Sequence, residues 1–328
     1  MDLIRTGLQN LDDARANLDR LKADGVSDER LVGMLKALSK ACDPDCALSN
    51  FVDITNAMQS QGRDFDAMVP DEAALERLIT VLGVSDEMGK LMRFRPELVE
   101  AAANDACESH LYNHEQRRAH VLKSVGADPN DHTMPTASLP LAEAATALRK
   151  TYRKQLAAIM AQDATANDPI EIQPRISTEL SDLADAALEG ALAIARHEVD
   201  GSEHVRFAII GMGKLGAQEL NYVSDVDLIY VVEPADMDTN GMALSRIGTK
   251  MATTLQRVCQ SVIMGVAEPT LWQIDGGLRP EGKDGPLVRR LESHEAYYEQ
   301  WAENWEFQAL LKARPVAGDT DSDKRIWI

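Results

Sequence analysis

Two aspartates one residue apart, Asp225 and Asp227, open an apolar run that continues as Leu228-Ile229-Tyr230-Val231-Val232. Alternate residues of a strand face the same way, so a strand here sets the two carboxylates side by side. Upstream, Val205 to Ile210 is a second apolar run rich in β-branched residues, and it passes into a turn carrying Gly211, Gly213 and Gly216. Paired carboxylates at the mouth of a glycine turn suit a hard divalent cation, and through it a phosphate. Farther on, Thr270 to Asp275 (TLWQID) predicts a third strand that ends in another acid, Asp275.

Gly211, Gly213 and Gly216 match G-x-G-x-x-G after a strand, with Glu233 closing the next run, which on paper is a dinucleotide-binding fingerprint. That fold needs a crossover of a dozen or more residues between parallel strands. Only Ala217 to Ser224 separate the turn from the acids, and two carboxylates would sit where cofactor phosphates belong. The arrangement fits better the pattern of polymerase-beta-type nucleotidyltransferases: strand, glycine turn, short connector, D-x-D on a second strand, third acid on a later one. Transfer at phosphorus needs charge neutralisation about an in-line centre, and two Mg2+ ions held by Asp225, Asp227 and Asp275 would provide it. A lone D-x-D is also what a solvated strand end looks like; the specificity lies in the combination.

With its flanks included, GMGKLGAQELNYVSDVDLIYV resembles the glutamine synthetase adenylyltransferase and adenylyl-removing enzyme family. IDGGLRPEGKDGPLV and YYEQWAENWEFQALLKARPVAGD resemble that family's later blocks, in the same order. ACDPDCALSNF and the helix before Val205 resemble its helical N-terminal region. Ala217 stands where the family usually has glycine, a departure that adjoins the turn without removing a carboxylate. Family members carry two copies of the catalytic unit: one attaches AMP from ATP to a tyrosine of glutamine synthetase, the other removes it by phosphorolysis to give ADP. One D-x-D behind N-terminal-type helices resembles the adenylyl-removing half, so the chain is expected to be a truncated piece lacking a C-terminal adenylyltransferase half. The resemblance implies two Mg2+ ions, phosphate and ADP or ATP as substrate or product, and adenylylated glutamine synthetase as partner. Both halves share the triad, so two alternatives stay open: the ATP-dependent adenylyltransferase half, and a helical docking module for glutamine synthetase or the PII signalling protein.

Around the acids, Gly211, Gly213 and Gly216 would let backbone N–H groups approach phosphate oxygens. Lys214 would add charge there, unless it is an ordinary solvated turn lysine. Ser224 would orient the carboxylates or cap the turn. Arg279, on the loop leaving the third strand, heads the further phosphate candidates, ahead of Lys283, Lys312 and Arg314. The last two read equally as basic residues at a helix C-terminus. Tyr297, Trp301 and Trp305, at four-residue spacing, are expected in a core and not in an adenine stack.

The elements that must position these residues follow from composition and pattern. A chain of 328 residues exceeds what one core serves, and alanine and leucine dominate over 5% aromatics, which favours helix. The expected fold class is α+β and predominantly helical. Residues 1–135 form a helical N-terminal domain, 136–290 a nucleotidyltransferase-like domain with a small mixed sheet, and 291–328 the start of a C-terminal helical region. Ser27, Asp71 and Ser85 are candidate helix caps. Residues 126–140 read as a linker. The apolar repeat from Leu180 to Ala195 marks a buried bundle helix. Ala243 to about Val262 is amphipathic, and a last helix runs from Ser293 to about Lys312, ended by Pro315. His110, His114 and His120 read as a solvated helix face, since no HExxH pattern or nearby acid completes a zinc set. Cys42, Cys46, Cys107 and Cys259 read as free thiols in a reducing compartment. With no leader-like start or membrane-length apolar run, a cytoplasmic location is expected. A formal net charge of −19 repels polyphosphate backbones, which sets nucleic acid aside as a partner.

Overall fold

The computed structural model describes residues 3–104, 112–236 and 240–319. Its contacts separate two compact units, Met1–Leu111 with Arg153–Ile176, and Tyr112–Tyr152 with Ser177–Ile328.

The first unit is built from α1 (Leu11–Ala23), α2 (Asp28–Leu38), α3 (Pro44–Ser60), α4 (Phe65–Met68), α5 (Glu72–Val84), α6 (Asp86–Phe94) and α7 (Pro96–Ala103). Asn10, Ser27, Asp43, Asp71 and Ser85 each accept the amide three residues on, satisfying a donor that a helix start leaves unpaired. Pro44 opens α3, where the amide it lacks would have had no helical partner. Leu31, Met34, Leu35 and Leu38 form the buried stripe the periodicity predicts, packed in one core with Phe51, Ile54, Leu75, Leu78 and Ile79. No described helix is long and apolar enough to cross a membrane.

The second unit takes α8 (His114–Ser124), α9 (Leu141–Ala164) as far as Tyr152, and α10 (Pro169–Glu198) from Ser177 onward. The repeat of α10 is buried from Leu180 through Ala195. Gly190 lets the helices approach: a β-carbon there would lie 2.5 Å from Val121 and 2.9 Å from Leu148. Residues 126–140 are tied down along their length. Ala137 donates to the Ala193 carbonyl at 3.0 Å, Arg196 to that of Pro135 at 3.1 Å, and Arg118 to those of Pro129 and Asp131.

The sheet follows as β1 (Val205–Gly211), α11 (Gly213–Gly216), β2 (Val226–Pro234), α12 (Gly241–Gln260), β3 (Ile274–Asp275), β4 (Val288–Arg289), α13 (Leu291–Gln300), α14 (Asn304–Leu310) and β5 (Arg314–Gly318). The strand order is β3-β2-β1-β5, with β4 also paired to β2. Antiparallel pairs join β1 to β2 and to β5, while β3 and β4 run parallel to β2, so the sheet is mixed and the class is α+β. The antiparallel β1–β2 pair and the single turn of α11 mean that the glycine turn does not belong to a βαβ unit, as a dinucleotide fingerprint requires. Alternation along β2 gives each face a role. Tyr230 and Val232 meet α12, where a β-carbon on Gly248 would lie 2.8 Å from Val232 and Gln256 reaches the Tyr230 hydroxyl at 3.4 Å. Ile229 and Val231 face a second cluster with Ala208, Ile210, Met212, Leu291 and Leu310.

Three expectations need correction. Of TLWQID only Ile274 and Asp275 pair as strand. The helix expected from Ser293 to Lys312 is two shorter helices. Pro315 does not simply end it but lies in β5, at a register shift opposite Ile209 and Ile210. Proline has no amide to donate, so an edge strand with an irregular ladder accommodates it. Trp301 and Trp305 are 73% and 54% exposed and take no part in a core.

Candidate active site

The three acids meet because β3 joins β2 in parallel. Asp227 and Asp275 are paired across the two strands, which lie about 4.8 Å apart in such a sheet. Asp225 is exposed two positions before Asp227, at the mouth of β2. The two-residue strand β3 is held by more than its ladder. Val226 donates to the Gln273 carbonyl at 2.9 Å, Leu271 to the Cys259 carbonyl at 2.8 Å, and Ile274 to the Gln260 side chain at 2.7 Å. The end of α12 therefore places the third acid, and α12 is itself fixed by Arg149 of α9. That buried guanidinium donates to the carbonyls of Val258 and Ser261, both at 2.7 Å, and of Glu268 at 2.9 Å, capping a helix end that leaves carbonyls open. Asp275 Oδ1 accepts the Gly277 amide at 2.6 Å.

Electrostatics mark the centre of the group. Burial raises the Asp227 carboxyl above its usual range, and the carboxylates of Asp225 and Asp275 raise it further, while Lys214 acts in the opposite sense. A side chain crowded by like charges is relieved by protonation or by a cation.

The glycine turn lies against this carboxylate. Met212 donates to the Asp227 carbonyl at 2.8 Å. Gly213 has φ +51°, and a β-carbon there would sit 2.5 Å from Asp227 Oδ2, so both its conformation and its neighbour demand glycine. Gly211 and Gly216 are glycines for a different reason. A β-carbon on Gly211 would lie 2.7 Å from Val316, and one on Gly216 would overlap the Lys312 carbonyl oxygen. Their close approach is to β5 and the chain entering it. Lys214 is exposed beside the acids, and Ser224 is half-buried just before Asp225.

Three of the other basic candidates, Arg279, Lys312 and Arg314, are already engaged. Arg279 donates to the carbonyls of Gly276 at 2.7 Å, Lys283 at 3.2 Å and Gly285 at 3.2 Å, closing its own loop. Lys312 pairs with Glu219 at 2.8 Å in the open. Arg314 donates to Asp185 at 2.5 and 3.1 Å, to the Leu215 carbonyl at 3.0 Å and to the Gly216 carbonyl at 3.3 Å.

Asp185 belongs to a set that reading α10 as purely apolar overlooks. Asp182 accepts from Gln218 at 3.2 Å, and Glu189 accepts the Gly318 amide at 2.6 Å. The available signal was acids spaced three and four apart within an alanine-leucine helix, since a buried carboxylate requires a partner. His114 Nε2 lies 3.7 Å from Asp185, whose hydrogen bond raises the histidine pKa, so His114 has an acidic neighbour that its local sequence does not reveal. His120 packs edge-on against Tyr112, and His110 lies outside the described residues. Cys42, Cys46 and Cys259 are free thiols; Cys107 also lies outside the described residues.

Two acidic groups could be considered for a metal. Among the described residues, the group whose ligand atoms all come within 4.8 Å of one another is His114, Asp182 and Asp185, and not the sheet acids. Arg314 already covers both oxygens of Asp185, so that cluster is balanced by protein charge. The sheet acids have the opposite balance, three carboxylates with Lys214 as the cation acting on the central one. Hard oxygen donors in excess negative charge fit Mg2+.

Comparison with known proteins places this geometry in context. A family model described as glutamate-ammonia ligase adenylyltransferase matches residues 75–326. A bifunctional glutamine synthetase adenylyltransferase/adenylyl-removing enzyme of Bifidobacterium longum (strain NCC 2705) is 75% identical over 321 residues, covering 98% of this chain and 30% of that protein. Proteins of the same description from Cutibacterium acnes and Streptomyces coelicolor are 40% and 37% identical, over 99% and 93% of this chain. The chain spans 32% and 28% of their lengths, so it corresponds to about a third of each relative.

Proposed function

The chain belongs to the glutamate-ammonia ligase adenylyltransferase family, and from that premise we propose that it removes AMP from the adenylylated tyrosine of glutamine synthetase by phosphorolysis, releasing ADP. The observation that carries the reading is the parallel pairing of Asp227 with Asp275, two residues after Asp225 and beneath the glycine turn. The removing direction rests on the helices that precede the acids, which resemble the N-terminal part of the family. The opposing adenylyltransferase half would lie in the portion of the longer relatives that this chain does not match.

In this reading Asp225, Asp227 and Asp275 would hold two Mg2+ ions. When bound, the ions neutralise charge on the phosphoryl oxygens and on the leaving phenolate. Inorganic phosphate attacks the AMP phosphorus in line. The new O–P bond forms as the bond to the tyrosyl oxygen breaks, and the phenolate keeps the electron pair. Its parent acid has a pKa of about 10, so it departs without a strong general acid and is protonated from solvent. Gly213 leaves room beside Asp227, and Lys214 adds positive charge toward the incoming phosphate.

The test is to incubate the chain with adenylylated glutamine synthetase, Mg2+ and phosphate and to assay ADP. Release by the native chain and none by Asp227→Asn supports the proposal. Labelling of unmodified glutamine synthetase from radiolabelled ATP, without phosphorolysis, moves the assignment to the adenylyltransferase half. Binding of the substrate protein without turnover under any divalent metal favours docking.

A further inference from the structure

The turn beside Asp227 is gripped at its far end by a single guanidinium. Arg314 opens β5 opposite Gly211, and it donates to the carbonyls of Leu215 and Gly216 at the end of a one-turn helix, the Leu215 carbonyl also accepting the Gln218 amide at 3.1 Å. Behind it, Asp185 is fully buried and takes both guanidinium nitrogens. We infer that Arg314, aligned by Asp185, is the positioning residue of this site: it sets where the glycine turn stands against Asp227. The inference rests on the reading of the three acids given above.

The geometry carries the argument. At its near end the turn meets Asp227 twice, through the Met212 amide on its backbone carbonyl at 2.8 Å and through Gly213 beside its carboxylate Oδ2. One helical turn has no internal joint, so movement at Leu215 and Gly216 is passed to Gly213. Gly216 has no β-carbon because the Lys312 carbonyl occupies the space, which seats the turn directly on the approach to β5. A planar guanidinium held by two parallel bonds to a carboxylate has a fixed orientation, which a lysine ammonium does not reproduce. An ion pair that buries its carboxylate, as Asp185 is buried here beneath a partly exposed Arg314, is a poor device for stability alone, because apolar residues of similar volume serve as well or better. Its placement at the back of the turn is accounted for by geometry.

The experiment compares Arg314→Lys, Asp185→Asn and the double variant in the full chain. Readouts are hydrogen exchange, binding of Mn2+ alone, and the split between kcat and KM for adenylylated glutamine synthetase. In the native chain the Gly216, Ala217 and Glu219 amides should be protected comparably to those of β1, and they should exchange faster in each variant while β1 and β2 amides do not. Mn2+ affinity and kcat should fall about 10- to 100-fold, the range for losing a group that orients metal ligands, with KM unchanged. The double variant should be no worse than either single, as for residues acting through one contact. Unprotected turn amides in the native chain, unchanged Mn2+ affinity in both singles, or additive losses would each overturn the inference. A native chain without phosphorolysis refutes the proposed reaction instead, while exchange and Mn2+ binding still decide the role of Arg314.

Discussion

Replacing Asp227 by asparagine should make the metal-free protein more stable while removing its response to Mg2+. In the folded chain Asp227 is half-buried between Asp225 and Asp275, and its carboxyl is raised first by burial and then by those two charges. Two unit charges about 6 Å apart repel by about 0.7 kcal/mol in water and by about 2.8 kcal/mol at an effective dielectric of about 20. Screened by solvent and salt, about 1 kcal/mol per neighbour is a fair middle value, or about 2 kcal/mol for the pair. For a cooperative unit of roughly 200 residues that is a rise of about 4–8 °C in Tm. The pH dependence has a defined sign. The folded pKa lies above the unfolded value of about 3.9, so the native chain is penalised as pH rises through the folded pKa, and the asparagine variant is not. The advantage of the variant should thus be absent in acid and complete at neutral pH. Thermal denaturation in EDTA and in Mg2+ measures both effects. The native chain should gain about 2.7 kcal/mol at a Mg2+ concentration of 100 times Kd, and the variant nothing. A variant that melts below the native chain in EDTA at pH 7, or that still gains from Mg2+, would refute the reasoning.

Asp225→Asn and Asp275→Asn should each lower kcat for ADP release by about 10²-fold or more, since each removes charge stabilisation at the reacting phosphorus. Gly213→Ala, forced to φ +51° with its methyl on Asp227, should cost about 1–2 kcal/mol in urea denaturation and weaken Mn2+ binding as well. Arg149→Met leaves the carbonyls of Val258, Ser261 and Glu268 without that donor inside the protein. A loss of about 3–5 kcal/mol is expected, read as a lower urea midpoint. His114 has a raised pKa through Asp185, so its stabilising contribution is full below about pH 6.5 and is lost as pH rises through the folded value. His114→Gln should flatten that part of the stability profile, and NMR titration of the ring should place its midpoint above the usual histidine value.

The fold class and the helix starts of the first unit were legible because both depend on short-range chemistry: capping side chains, proline at a first turn and apolar periodicity. The length of the stretch between Gly216 and Asp225 told against a dinucleotide fold for a related reason, since chain geometry limits what so few residues can span. The meeting of Asp275 with Asp227 was anticipated from their places at strand mouths, although β3 is far shorter than TLWQID suggests. What the sequence obscured came from pairing at long range. β5 was hidden by Pro315, which locally reads as a helix stop and is tolerated only because an irregular edge strand has no use for its amide. Arg314 looked like free positive charge, and nothing near it in sequence reveals the carbonyls and the Asp185 carboxylate that hold it. The acids of α10 were masked by an apolar repeat whose own burial made them buried too. The exposure of Trp301 and Trp305 shows the reverse error, since aromatic spacing speaks to a face but not to what covers it.

The contact between Arg314 and Gly216 joins residues 98 apart in sequence, and this has a bearing on how the protein is made. β1 and β2 are separated by a short connector and can pair as soon as both have left the ribosome, whereas β5 follows after α12, α13 and α14. Closing so long a loop adds little entropy over a shorter one but makes that contact late. At about 5–20 residues per second, Asp225 and Asp227 precede the strand that braces their turn by about 4–18 s of synthesis and Asp275 by about 2–8 s. During that interval a nascent chain carries the acids beside an unbraced turn. The site is then assembled in two stages, and translation itself separates the gathering of charge from the setting of its geometry.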